Sequence, residues 1–230
     1  MQTIILCGGK ATRLYPLTKT IAKSMIKISG KPFLEYQLDL LKKNKIFDIV
    51  LCVGVFGEQI KKYFKDGSNF GVNIKYSWES KALGTGGAIK NALPLLEDSF
   101  FTMYGDSYLL FDYEDAENYF KRSNLPGMMT VYRNENLYEP SNVLIKNHLI
   151  SEYDKKNHKN TFKYIDYGIN AFKKSIFKNY EKEAFDLSEI HQKLIEEKKL
   201  LAYEAKQRFY QIGNPIGLRE FKDMLKNNLP

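Results

Sequence analysis

The chain has 230 residues, of which 43% are hydrophobic, and this length suits one α/β domain better than two. It contains no apolar run long enough to span a membrane, and no basic segment precedes its short N-terminal apolar run, so neither a membrane partner nor a secretory signal is expected. The net charge of +8 comes from scattered lysines rather than from a basic patch interleaved with aromatic residues, which argues against nucleic-acid binding. A modest positive field instead favours phosphorylated small molecules.

The two cysteines, Cys7 and Cys52, both stand in apolar, strand-like contexts. No pair of cysteines has metal-ligand spacing. We therefore expect two reduced core thiols and a cytoplasmic protein.

In the first half of the chain, predicted strands alternate with predicted helices. The strands are expected at residues 3–7, 26–28, 49–53, 72–76 and 100–104. The helices are expected to begin at Pro32, to cover 58–64 and to cover 86–93. Such alternation predicts crossover connections and a mostly parallel sheet, with ligands at the carboxyl ends of the strands. Gly8-Gly9 and Gly105-Asp106 both follow strands at such ends.

The second half has shorter connections and is predicted to be more meander than crossover. Strands are expected at 128–132, 143–145, 149–153, 164–172, 200–204 and 209–212, with helices at 112–122, 187–198 and 216–225. No repeat or clear linker is present. The predicted fold class is therefore α/β, with a Rossmann-like, mostly parallel central sheet flanked by helices in a single domain covering 1–230.

The residues after the first strand read Cys7-Gly8-Gly9-Lys10-Ala11-Thr12-Arg13-Leu14, with Lys23 further along. Glycines at this point let the backbone turn sharply and direct N–H groups at phosphate oxygens. The stretch resembles the signature of the sugar-1-phosphate nucleotidylyltransferases, Gly-Gly-x-Gly-Thr-Arg-Leu followed by Pro-Lys-Pro-Met. Here the third glycine is Ala11, and the prolines beside the lysine are Ala22 and Ser24.

The resemblance, which covers nearly the whole chain, implies the nucleotide-diphospho-sugar transferase fold, a nucleotide-binding half at 1–125 and a sugar-phosphate-binding half at 126–230. It also implies transfer of a nucleoside monophosphate from a triphosphate to a sugar 1-phosphate, with Mg²⁺ as cofactor. Arg13 would contact the triphosphate, Lys23 would bridge the two substrates, and Asp106 would bind the metal. The remaining residues of this nucleotide-binding loop are Leu6, Cys7, Gly8, Gly9 and Thr12.

The second metal ligand of the family is an aspartate in an Asp-Ile-Gly-x-Pro segment. This chain has Gln211-Ile212-Gly213-Asn214-Pro215, so Gln211 occupies the position of that aspartate. A glutamine offers only a carbonyl oxygen to a metal. Gln211 is therefore a candidate ligand, and binding of the metal by two carboxylates is in doubt.

A glycine-rich stretch after Glu79 resembles the family loop that recognises the base. Its predicted nucleotide-binding residues are Glu79, Leu83, Gly84, Thr85 and Gly87. The loop looks most like that of the heptose-1-phosphate and mannose-1-phosphate guanylyltransferases. A carboxylate at Glu79 would suit the N1–H and amino group of guanine, and a wrong base would leave buried polar groups unpaired.

The residues that match sugar-phosphate positions of the family lie in the second half. They are Asn142, Asp154, Lys155, Asp166 and Gly168. The usual Glu-Lys pair is Asp154-Lys155 here, one methylene shorter. The histidines His148, His158 and His191 are scattered and receive no role.

The leading hypothesis is a nucleotidyltransferase, favouring GTP and a heptose or mannose type of sugar 1-phosphate, and the family suggests a place in capsule or lipopolysaccharide synthesis. Uridylyl or cytidylyl transfer to a sugar phosphate or another phosphorylated small molecule is the first alternative. A nucleotide-binding regulator without turnover is the second, suggested by the lost aspartate. The sequence leaves a homodimer open.

Overall fold

A nine-stranded sheet runs through the structure, a computed structural model that describes residues 1–9, 12–157 and 159–227. Within these residues the strands are β1 (Gln2–Leu6), β2 (Lys27–Ile28), β3 (Lys31–Pro32), β4 (Asp48–Val53), β5 (Asn73–Trp78), β6 (Ser99–Tyr104), β7 (Ser107–Leu109), β8 (Gly127–Arg133), β9 (Val143–Lys146), β10 (Leu149–Tyr153), β11 (Tyr164–Lys173), β12 (Leu200–Ala205) and β13 (Phe209–Gln211). The helices are α1 (Phe33–Lys43), α2 (Gly57–Phe64), α3 (Gly84–Ala92), α4 (Tyr113–Ser123), α5 (Ser175–Lys178), α6 (Leu187–Glu196) and α7 (Pro215–Asn227). Ala11 of the predicted loop and His158 lie outside the described residues.

The order of strands in the sheet is β5-β4-β1-β6-β11-β8-β12-β10-β9. The first four run parallel to one another, whereas β11 is antiparallel to β6 and β8. β12 pairs parallel with β8, and β10 pairs antiparallel with β12 and β9. The predicted α/β sheet flanked by helices is confirmed. The prediction of a mostly parallel sheet needs correction. In this sheet the strands of the first half of the chain are parallel, whereas those of the second half form both parallel and antiparallel pairs.

Short connections explain the mixed half of the sheet. Only Asn147 and His148 separate β9 from β10, and both have positive φ angles, 51° and 63°. A two-residue turn with two positive φ angles joins antiparallel strands, whereas a parallel pair needs a crossover of a dozen or more residues. The predicted meander is thus confirmed for β9 and β10. It does not extend to β12, which follows two helices in the chain and pairs parallel with β8.

The helices cover both faces of the sheet. One face buries side chains of α1, α2 and α4, with Leu38, Ile60 and Phe120 in one apolar cluster. The other face buries side chains of α3, α5 and α6, with Ile89, Phe177 and Ile190 in a second cluster. Neighbouring residues of the first strands alternate between the two clusters, as the side-chain period of a strand requires.

A third apolar cluster fixes the signature loop. Leu14 and Ile26, on either side of Lys23, pack with Phe33, Ile212 and Phe221. The rings of Phe33 and Phe221 meet edge to face with centroids 5.1 Å apart. The C-terminal helix α7 therefore holds the N-terminal loop in place, although nearly the whole chain separates them in sequence.

Three short elements were not predicted: β3, β7 and α5. The segment expected to open a helix at Pro32 is partly strand, since Pro32 belongs to β3 and α1 begins at Phe33. β7 has three residues and pairs with β13, where Ser107 lies opposite Gln211. A strand this short carries little pattern of its own and depends on a distant partner. Among the described residues, no helix is both long and apolar enough to cross a bilayer.

Candidate active site

Three glycines allow the carboxyl ends of β1, β4 and β6 to come together. A Cβ at Gly54 would stand 2.9 Å from the Gly8 carbonyl oxygen, and one at Gly105 would stand 2.7 Å from the Leu6 carbonyl oxygen. Any side chain at these two positions would push the strand ends apart. The floor of the site is therefore backbone.

A cavity of about 630 Å³ opens above these strand ends. Its lining includes ten of the predicted catalytic, nucleotide-binding and metal-binding residues: Leu6, Cys7, Gly8, Gly9, Lys23, Glu79, Leu83, Gly84, Thr85 and Asp106. Burial raises the pKa of the Cys7 thiol to about 12, which favours its protonated form. Cys7 and Cys52 are both free cysteines, as predicted.

Lys23 and Asp106 meet inside this cavity. Lys23 Nζ donates to Asp106 Oδ2 at 2.6 Å, and the two side chains are only 20% and 21% exposed. The single-turn helix Lys23–Met25 presents the ammonium, while Asp106 follows the end of β6. Two residues that are 83 positions apart in the sequence thus form an ion pair in the cavity.

Arg13 and Gln211 flank this pair from a different side. A Cβ built on Gly213 would stand 2.8 Å from Gln211 Oε1, 2.9 Å from Asp106 Oδ2 and 3.6 Å from Arg13 Nη2. All three groups therefore surround one point, which only glycine leaves open. The backbone N–H of Ile212 donates to the Asp106 carbonyl oxygen at 2.8 Å and ties this segment to the end of β6.

The Gln211 amide is already engaged. Its Oε1 accepts the Gly213 N–H, and its Nε2 donates to Glu139 Oε1 at 3.2 Å. Partial burial raises the pKa of Glu139, and the nearby Arg13 opposes this rise. Gln211 thus lies where the resemblance places it, but its carbonyl oxygen already has a partner.

Glu79 lies across the cavity beside the glycine pair. A Cβ at Gly8 would stand 2.8 Å from Glu79 Oε1, so the carboxylate lies directly against the loop backbone. Burial raises the pKa of Glu79, and a hydrogen bond from the backbone of Leu83 opposes the rise. A half-buried acceptor at this place is available to a ligand in the cavity.

The glycine-rich loop packs against a segment that the sequence did not link to it. Gly84 has a φ of 71°, and a Cβ there would run into the Phe185 carbonyl oxygen. The Thr85 hydroxyl donates to Asp186 Oδ2 at 3.1 Å and accepts the Leu187 N–H at 2.8 Å. Leu83, Gly84 and Thr85 line the cavity, whereas Gly87 packs against the backbone of residues 183–184.

Four of the five predicted acceptor residues form one connected group around β11. Asn142 Oδ1 accepts the Asp166 N–H at 3.0 Å, and Asp166 Oδ1 accepts the Gly168 N–H at 3.0 Å. Tyr153 donates its hydroxyl to Asp166 Oδ2 at 2.8 Å. Lys155 joins through electrostatics: burial lowers its pKa, but Tyr104 and Asp166 outweigh that effect and leave the pKa raised.

Lys155 also connects this group to the nucleotide cavity. Its Nζ donates to the Tyr104 hydroxyl at 3.2 Å, and Tyr104 lines the first cavity. Lys155 itself lines a second cavity of about 1060 Å³ between residues 151–157 and α6. A protonated ammonium therefore stands between the two cavities.

Asp154 does not join its neighbour in this group. Its carboxylate accepts the backbone N–H groups of Lys156 and Asn157, at 2.8 and 3.0 Å, and the Asn157 side-chain amide. These hydrogen bonds lower the pKa of Asp154 to about 2. The carboxylate caps its own turn, so its contact with a sugar stays a prediction.

Sequence reasoning missed Tyr104, Tyr153 and Glu139. The position of Tyr104, directly before Gly105-Asp106 at a strand end, was a usable signal. Glu139 had none, since it meets Gln211 through a contact between segments 72 residues apart.

The chain matches the nucleotidyl transferase family model over residues 2–227. It belongs to the nucleotidyl transferase family. The heptose 1-phosphate guanylyltransferase of Campylobacter jejuni is 35% identical over 229 residues, covering 99% of this chain and 100% of that protein. A UTP–glucose-1-phosphate uridylyltransferase of Synechocystis is 38% identical over 50% of this chain and 33% of its own length.

The nucleotidyl transferase fold is also seen in solved structures. HddC of Yersinia pseudotuberculosis has a TM-score of 0.82 at 24% identity, over 97% of this chain and 99% of that one. These matches confirm the predicted family, its fold and its enzyme class, a sugar-1-phosphate nucleotidyltransferase.

Proposed function

We propose that this enzyme transfers the guanylyl group of GTP to a heptose 1-phosphate and releases pyrophosphate. The observation that carries this proposal is the contact between Lys23 and Asp106 in the cavity, with the Arg13 guanidinium near Asp106 beside Gly213. The full-length similarity to the Campylobacter jejuni heptose 1-phosphate guanylyltransferase supports the choice of base and sugar. A place in capsule or lipopolysaccharide synthesis is part of the same proposal.

In this reaction a phosphate oxygen of the sugar phosphate attacks the α-phosphorus, and the bond to pyrophosphate breaks. The repulsion between negative phosphates is the main obstacle, so catalysis consists mostly of positioning and charge neutralisation. Lys23 lies at the cavity wall between the two substrates, and Arg13 holds the leaving pyrophosphate. The nucleotide occupies the 1–125 half and the sugar phosphate the 126–230 half, where Lys155 receives its phosphate.

Mg²⁺ is the cofactor we propose for this site. Magnesium prefers oxygen ligands and keeps several waters or phosphates around it, which suits a site with few protein ligands. Within the described residues no group of three or more His, Cys, Asp or Glu side chains lies close enough to hold a metal. Asp106 is the protein ligand that fits, and bound Mg²⁺ would neutralise phosphate charge.

The choice of base gives a testable prediction. If Glu79 accepts two hydrogen bonds from guanine, Glu79→Gln should lose much of the preference for GTP over UTP. A buried, charged acceptor is worth on the order of 1.5–3 kcal/mol, or roughly ten- to a hundred-fold in the ratio of kcat/KM values. The measurement is pyrophosphate release with GTP, UTP, CTP, dTTP and ATP against one accepted sugar phosphate.

A variant of Lys81 provides the matched control, because this exposed residue also lines the cavity but pairs with Glu183. Lys81→Gln should leave the base preference unchanged. Preference of the wild-type enzyme for UTP or CTP would refute the guanine assignment. If none of the five triphosphates yields pyrophosphate, the result would favour a nucleotide-binding regulator without turnover. Heptose and mannose 1-phosphates in the same assay identify the sugar. The cytoplasmic location and a homodimer stay predictions.

A further inference from the structure

The family position for a second metal carboxylate is occupied by a neutral amide in this chain. Gln211 holds that position, and its Oε1 accepts the Gly213 N–H. The amide oxygen is therefore committed to the backbone of its own segment. A cation at Asp106 would receive no second carboxylate from β13.

A carboxylate nevertheless lies next to this amide. Glu139, in the loop between β8 and β9, accepts a hydrogen bond from Gln211 Nε2 at 3.2 Å. Gln211 Oε1 and Asp106 Oδ2 are within 2.8 and 2.9 Å of the same point beside Gly213. The Gln211 amide thus stands between the two carboxylates and contacts one of them directly.

The backbone of the Glu139 loop is held in place by buried polar groups. The Asn134 side chain, 2% exposed, donates to the Glu139 carbonyl oxygen at 2.5 Å and to Ser141 Oγ at 3.1 Å. The Ser141 N–H donates to Asn136 Oδ1 at 2.7 Å. Because both ends of the loop tip are tied, Glu139 is presented at a defined position rather than on a free loop.

We infer that Glu139 supplies the second carboxylate for the divalent cation, and that Gln211 is a positioning residue that orients it through Nε2. Two carboxylates, completed by phosphate oxygens or water, form an all-oxygen donor set that suits Mg²⁺ or Mn²⁺. The inference rests on the proposed use of a metal by this site, but not on the identity of the base or sugar.

The test measures metal binding directly, without turnover. Mn²⁺ is titrated into the full chain in the presence of inorganic pyrophosphate, which is released whichever nucleoside triphosphate the enzyme uses. Bound Mn²⁺ is followed by water-proton relaxation. We expect Glu139→Gln to weaken Mn²⁺ binding about tenfold, within the range seen when a group around a metal is removed. The glutamine retains an acceptor for Gln211 Nε2, and an unchanged melting temperature checks the fold.

Two further variants make the result specific. Glu135→Gln, in the same loop but paired with Arg133 at 2.8 Å, should leave Mn²⁺ binding unchanged. Gln211→Asp restores the family carboxylate. Adding Glu139→Gln to this variant should therefore weaken Mn²⁺ binding less than threefold. The inference would be overturned if Glu139→Gln bound Mn²⁺ as tightly as the wild type, or if Glu139→Gln weakened Mn²⁺ binding equally in the wild type and in Gln211→Asp. It would also be overturned if the wild type bound no measurable Mn²⁺. A wrong base assignment would leave all of these measurements unaffected.

Discussion

Replacing Asp106 by asparagine should lower kcat about 100- to 1000-fold, the usual cost of removing a preorganised group that stabilises transition-state charge. Asp106 lies at the point where β1 and β6 end, and its Oδ2 accepts a hydrogen bond from Lys23 Nζ at 2.6 Å. Asp106 Oδ2 and Arg13 Nη2 also lie near the same point beside Gly213. Asparagine keeps the size and one oxygen but loses the negative charge. The proposed magnesium ion would then lose the Asp106 carboxylate, and Lys23 would lose its ion-pair partner.

The measurement is the steady-state rate of pyrophosphate release across a range of magnesium concentrations. Asp98→Asn is the matched control, because this exposed residue stands just before the same strand and outside the cavity. We expect Asp98→Asn to retain wild-type kcat and Asp106→Asn to retain the wild-type melting temperature. Near-wild-type activity of Asp106→Asn at limiting magnesium would show that the cation is held elsewhere.

Lowering the pH from 7 to 4 should remove roughly 3 kcal/mol of folding stability through His191 alone. This side chain is fully buried, and neither ring nitrogen has a hydrogen-bond partner among the described residues. Its ring packs between Tyr153 and Phe172, with centroids 5.3 and 5.7 Å away. Burial lowers its pKa from 6.5 to about 4, although Asp166 and Asp186 favour the protonated form.

The sign follows from proton linkage. Between pH 6.5 and 4 the unfolded chain binds a proton at His191 that the folded chain rejects, so stability falls as the pH falls. Each pKa unit corresponds to about 1.4 kcal/mol. Above pH 6.5 and below pH 4 both states have the same protonation, and the contribution of His191 no longer changes.

Urea unfolding at pH 7, 5.5 and 4.5 measures this effect. His191→Phe keeps an aromatic ring in the same apolar pocket and should lose markedly less stability over this range than the wild type. His148→Gln serves as the control, because His148 is exposed in the turn between β9 and β10, and its pH dependence should match the wild type. Parallel stability curves for the wild type and His191→Phe would contradict the buried-histidine explanation.

Local patterns in the sequence predicted most of the secondary structure and the nucleotide side of the site. Continuous apolar runs such as residues 49–53 form strands covered on both faces, because a buried strand needs apolar side chains on both sides. Gly8 after β1 and Gly105 after β6 mark positions where two backbones come close together. Only glycine fits there, because a Cβ would collide with neighbouring atoms. Lys23 and Asp106 were named separately and prove to be in contact.

Tertiary structure alone decided the remaining features. The three-residue strand β7 exists through its pairing with β13, which places Gln211 opposite Ser107, next to Asp106 in the chain. A separate hydrogen bond brings Glu139 to Gln211 from the loop between β8 and β9. The glycines of the 83–87 loop fit against residues 183–186, a contact that no local pattern encodes. His191 is spaced on α6 like any apolar residue, but only packing against β10 and β11 removes it from water and sets its pKa. The sequence by itself determined the longer elements and the chemical groups available, because these depend on neighbours along the chain. Contacts between segments far apart in sequence decide the rest. They determine which groups meet, which amide already has a hydrogen-bond partner and which charge is desolvated.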